Sequence, residues 1–193
     1  MIQRVQDDLA SLVGGDIYLI PRQNLHVSVI ELSHRHTVSQ LYSVISEIGS
    51  SCIQDILDLV SSLDRKPALI EPRLSFDKMG VALSYLPSDT DSYTYHHLRS
   101  DMHSLALDSG IKGLDICYTA PSAHVTLGKF IGNKFFEKPE ARQAFVKLIK
   151  DLDEELKSGD HGWVVGGTQG LEMQLGYLKF GREHEKADMI GRM

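Results

Sequence analysis

The 193-residue sequence predicts an α+β fold of mainly antiparallel sheet and packed helices, on three observations. Short apolar runs such as "DIYLI" (16–20), "LHVSVIEL" (25–32), "ALIEPRLSFD" (68–77) and "GVALSYL" (80–86) are bounded by Pro, Gly or Asn, as strands are. Longer stretches repeat apolar residues at spacings of three and four, the helical period. The two kinds of segment run strand, helix, hairpin, helix, strand, helix, strands, without the strict alternation of a parallel sheet.

Taken in order, "DIYLI" stops at Pro21 and strand-like sequence restarts after Asn24, which predicts two strands around a turn. From Thr37 to about Leu63, the residues Leu41, Val44, Ile45, Ile48, Ile53, Ile56, Leu57 and Val60 predict a helical segment broken at Gly49. The runs flanking "KMG" predict a β-hairpin interrupted by Pro72, with Gly80 at positive φ. "SYTYHHLRSDMHSLALDSG" predicts a helix capped by Ser92, with Tyr95, Leu98, Met102 and Leu105 on one face and Gly110 ending it. Strand sequence returns in "LDICYTAPSAHVTLGKFI" (114–131). A helix over 139–156 follows, Phe145, Leu148, Ile149 and Leu152 facing in and Lys147, Lys150, Asp151 and Glu154 facing out. "WVVGG", "GLEMQL" and "YLKFG" read as closing short strands.

The length and a hydrophobic content of 42% suit a single domain with one cooperative core. A net charge of −6 excludes the overall basic field that drives sequence-independent binding to long nucleic acid, while leaving room for a small anion or a strand end. Two cysteines, Cys52 and Cys117, without a CxxC do not make a disulfide scaffold, and point to a reducing compartment. The amino terminus carries Asp7 and Asp8 in place of an apolar signal core, and no window approaches the roughly 20 apolar residues of a membrane span. The expectation is a soluble protein of the cytoplasm, with the nucleus as the alternative.

The chemistry-bearing feature is an echo. "NLHVSVIEL" (24–32) and "SAHVTLGKF" (122–130) each hold His, Val, Ser or Thr, then an apolar residue. On a strand, alternate side chains share a face, so His26 goes with Ser28 and His124 with Thr126, each pair about 6 to 7 Å apart. Two such strands side by side gather two imidazoles and two hydroxyls around one cavity. That set suits metal-free phosphodiester chemistry: one neutral imidazole takes a proton from water, the other protonates the departing sugar oxygen, and the hydroxyls hold the non-bridging oxygens.

The paired motif resembles the signature of the two-histidine (2H) phosphoesterase superfamily, the LigT-like cyclic phosphodiesterases. Together with "YTYHHLR" and "YTAPSAHVTLGKFI", it is similar to the fungal proteins described as RNA ligase/cyclic nucleotide phosphodiesterases, over about residues 16 to 181. The resemblance implies a bilobal, pseudo-twofold fold with one motif in each lobe and a central cleft between antiparallel sheets. It also implies hydrolysis of a nucleoside or RNA-terminal 2',3'-cyclic phosphate without metal or other cofactor, leaving a 2'-phosphate. By motif position His26 and His124 carry over as the acid/base pair, and Ser28 and Thr126 as phosphate ligands. Phe180 in "YLKFGREHEK" departs from the Tyr of the fungal pattern.

Further residues are candidates beside these. Tyr118 and Tyr18 are candidate substrate-binding aromatics on which a base could stack, packing being the alternative, and Tyr177 shares the ambiguity. Strict alternation puts Lys129 on the face opposite His124 and Thr126, unless Gly128 makes a bulge. "HRH" (34–36) and His96–His97 lack acidic or thiolate partners at ligand spacing, so no metal is expected. His97 and Arg99 read by default as a solvated helix face, with reach into the cleft from the helix start as the alternative. "GWVVGGTQG" is not followed by Gly-Lys-Ser/Thr, so ATP is not implied. The rival functions are RNA 3'-end trimming with the same dyad, and a non-catalytic module that binds a nucleotide or RNA end. No membrane partner is expected.

Overall fold

A computed structural model describes residues 1–33, 36–90, 92–110, 123–175 and 189–190. The fold is α+β. Its helices are α1 (Ile2–Val13), α2 (Val38–Ile48), α3 (Ser50–Asp58), α4 (Tyr95–Asp108) and α5 (Pro139–Lys157). Its strands are β1 (Ile17–Leu19), β2 (Ala68–Phe76), β3 (Gly80–Pro87), β4 (Ala123–Phe130), β5 (Trp163–Val164), β6 (Met173–Gln174) and β7 (Met189–Ile190). An antiparallel five-stranded sheet has the order β1-β4-β3-β2-β5, and β6 pairs with β7. Among the described residues no helix is long and apolar enough to cross a membrane.

The described residues fall into two compact units, the first formed by 1–27, 71–86 and 123–162, the second by the remainder. In the first, α1 and α5 pack together and α1 packs on β1 and β4. Val5, Leu9, Val81, Leu83, Val125, Leu127, Phe145 and Leu152 are buried there. Phe76, Phe130 and Phe136 set their rings edge-on around Phe145 and one another, with Phe76–Phe145 and Phe136–Phe145 centroids 5.1 and 5.2 Å apart, a geometry that satisfies the aromatic quadrupole. Helix α1 has no counterpart in the sequence expectations, although Ile2, Val5, Leu9 and Val13 lie at helical spacing. Its buried Gln6 donates Nε2 to the carbonyls of Ile20 (2.8 Å) and Leu127 (3.0 Å), tying the helix to β4.

In the second unit Ile48, Ile53 and Leu57 form a core with Val44, Ile45, Cys52, Leu171 and Met173 around them. The break at Gly49 separates α2 from α3, with Gly49 at φ 79°. Thr37 caps α2 through a reciprocal pair of bonds with Gln40. The cap of α4 is Thr94, not Ser92: His97 Nδ1 accepts from the Thr94 N–H at 3.0 Å and so completes a capping box.

The hairpin differs from expectation in two ways. β2 runs through Pro72 without interruption, the backbone adapting at Glu71, whose φ is 49°. Gly80 is not at positive φ. Asp77 makes the turn by accepting from the Met79 and Gly80 N–H groups, and Gly80 is required for space, since a Cβ there would lie 2.2 Å from the Gly128 carbonyl oxygen. That close approach belongs to a β-bulge: Ala82 pairs with Thr126 but Val81 pairs with Gly128, so Leu127 is an extra residue on β4. "YLKFG", with Tyr177 and Phe180, and the start of the predicted strand 114–131, with Tyr118, lie outside the described residues.

Candidate functional site

The second motif sits on β4 as the alternation demands. Ala123, Val125 and Leu127 are buried, while His124 and Thr126 are half-buried on the other face. Across the ladder Ser84 stands opposite His124 and Ala82 opposite Thr126; directly opposed residues share a face. The Ser84 hydroxyl lies 2.7 Å from that of Ser75, placing a further hydroxyl pair beside the histidine. The motif contains no signal for Ser84, because cross-strand neighbours 40 positions apart in sequence become adjacent only through register.

The first motif is not the regular strand the sequence predicts. After β1, Ile20 still donates to the Leu127 carbonyl at 2.9 Å, but Pro21 has no N–H to continue the ladder and the chain turns through a 3₁₀ segment, Arg22–Asn24. It rejoins β4 at one antiparallel bridge, Val27 to Val125. Burial does not alternate here; residues 24–33 are all half-buried. The antiparallel register of that bridge sets His26 against Thr126 and, diagonally, on the side of His124. Both imidazoles and the Thr126 hydroxyl therefore share one face of β4, all within the first unit.

The detour also orients His26. Its Nδ1 lies 2.7 Å from the Asn24 carbonyl oxygen, and since a carbonyl only accepts, Nδ1 carries the proton. In the neutral ring the basic lone pair is then on Nε2. Tyr18, on β1, stands directly opposite Lys129 of β4.

Ser28 opens the second unit, and its backbone is held there firmly. Its carbonyl accepts from the Tyr95 hydroxyl (3.2 Å) and Arg99 Nη2 (3.3 Å), while Arg99 Nε donates to the Val29 carbonyl at 2.7 Å. Arg99 is only 7% exposed, and its guanidinium lies 4.4 Å from the centre of the Tyr95 ring. The expected solvated position for Arg99 is thus wrong, and the reason is helical phase: Tyr95, Arg99, Met102 and Ala106 make one buried stripe. That stripe was the available signal, masked by the charge of its second member. Burial raises the Tyr95 hydroxyl pKa above its ordinary value, with the Arg99 charge opposing the rise. His97 is occupied with capping α4.

No family model matches the chain, and no curated protein or solved structure matches it either. The chemical reading of the face rests on its own residues. Two imidazoles and a hydroxyl on one side of β4 are side chains of the kinds that can accept, deliver and donate protons.

Proposed function

We propose that the protein is a metal-independent cyclic phosphodiesterase of the two-histidine type, with the bilobal fold of that superfamily, acting in the cytoplasm or nucleus on a nucleoside or RNA-terminal 2',3'-cyclic phosphate. The observation that supports this reading is the Val27–Val125 bridge, whose antiparallel register sets His26 on the side of β4 that carries the half-buried His124 and Thr126.

In the proposed reaction one imidazole takes a proton from water as its oxygen bonds to phosphorus. The bond from phosphorus to the ribose 3' oxygen breaks, and the other imidazole, protonated, delivers a proton to that oxygen. The product is a 2'-phosphate, and the two histidines exchange protonation states. The Asn24 carbonyl makes Nε2 of His26 the atom that exchanges the proton. Thr126 donates to a non-bridging oxygen as charge builds, and Ser28 has the same role by its place in the motif.

The test is turnover of 2',3'-cyclic AMP and of a short RNA ending in a cyclic phosphate, both with EDTA present. The parent is expected to be active, and His26→Ala and His124→Ala each to lose about 10²- to 10⁴-fold in kcat. An inert parent, or variants as active as the parent, would overturn the assignment. The position of the product phosphate then identifies which oxygen leaves.

A further inference from the structure

The β4 bulge changes which side chains belong to the motif face. On β3 the alternation is uninterrupted, so Gly80, Ala82 and Ser84 project to one side while Val81, Leu83 and Tyr85 are buried on the other. Their partners on β4 are Lys129, Thr126 and His124 respectively. Opposed residues share a face. The extra residue Leu127 therefore resets the phase and brings Lys129 onto the same side as His124 and Thr126, against simple alternation. Two further contacts agree. A Cβ on Gly128 would meet Ile17 and Leu19, on the core side, and the Phe130 ring packs against Phe145 of α5.

We propose that Lys129 is the cation that holds the phosphate anion on the motif face, an inference that rests on the phosphodiesterase reading for its ligand but has its own test. Measured on β3, Lys129 is two residues from Thr126, about 7 Å, a span that the lysine side chain crosses. Tyr18 flanks Lys129 on one side and Gly80, without a side chain, on the other. An ammonium is a compact point charge with three donors, suited to an anion whose oxygens point in several directions. The bulge that places it is built in: Gly80 admits the Gly128 carbonyl, and the Leu127 carbonyl accepts from both the Ile20 N–H and Gln6.

The experiment is calorimetric titration of the full chain with a nucleoside 2'-monophosphate, 2'-AMP, which resembles the proposed product and needs no turnover. Lys129→Met is expected to weaken binding about ten-fold, the scale of one lost charge-assisted bond. Lys129→Arg, which keeps the charge, should stay within about three-fold on the same scale. Lys78→Met, exposed at the hairpin turn, removes the same net charge and should leave binding unchanged. Unaltered binding by Lys129→Met, an equal loss in Lys78→Met, or no binding by the parent would each overturn the proposal. The two readings fail separately. Binding that depends on Lys129 in a protein that turns nothing over refutes the phosphodiesterase alone, whereas histidine-dependent turnover with binding indifferent to Lys129 refutes this inference alone.

Discussion

At the scale of single residues, Tyr95 shows how a motif is held from outside itself. It is fully buried, at 0% exposure, and its hydroxyl donates to the Ser28 carbonyl beneath the Arg99 guanidinium. Burial raises its pKa, and that of Tyr85, above the ordinary value of 10.0. The folded state thus binds these two protons more tightly than the unfolded chain. Their contribution is fully present below about pH 10 and is lost as pH rises through the folded values. The expected result is a melting midpoint that falls steeply above pH 10, with Tyr95→Phe giving a shallower fall; an identical slope in parent and variant would remove Tyr95 from the account. His26, His124, Ser28 and Thr126 were all legible in the sequence as a repeated tetrapeptide. Arg99 was not, since a charged side chain at a helix position reads by default as solvated and only carbonyl acceptors from a distant segment reverse that default.

At the scale of elements, the β3–β4 ladder turns on one glycine. Replacing Gly80 by Ala sets a Cβ against the Gly128 carbonyl oxygen, backbone that has no rotamer with which to yield. Gly80→Ala should lower unfolding free energy by about 1–3 kcal/mol, read as an earlier urea midpoint at unchanged m-value. Lys78→Ala, two positions away on the exposed turn, should change it by no more than about 0.5 kcal/mol. A tolerated Gly80→Ala would mean that the bulge can relax. The helices were largely legible because periodicity is local: the α2–α3 break at Gly49 and the buried side of α5 follow from residue spacing. The first motif has the apolar run of a regular strand, but Pro21 and the 3₁₀ turn interrupt the ladder, and it pairs with β4 through the bridge at Val27.

At the scale of the whole molecule, charge sets how a nucleic acid could be met. With a net charge of −6 and a proposed site offering one placed lysine, recognition of an RNA end should release few counterions. Binding of a short cyclic-phosphate RNA, followed by fluorescence anisotropy, should fall with salt at a log–log slope near about −1, the value for one or two phosphate contacts on a single strand. A slope steeper than about −3 would indicate a longer track and favour end-trimming of RNA over hydrolysis of a terminal cyclic phosphate.

The sequence by itself determined the α+β composition of the fold, most element positions and the histidine–hydroxyl pairs, because each depends on spacing along a covalent chain of fixed geometry. Tertiary structure alone decided that His26 falls in register with Thr126, that Ser84 pairs with His124, that Lys129 shares the register face of Thr126 and that Arg99 is buried. Each of these is a matter of register or packing between segments far apart in sequence. One bridge at Val27 and one extra residue at Leu127 set that register, and a shift of a single residue sends a side chain to the opposite face.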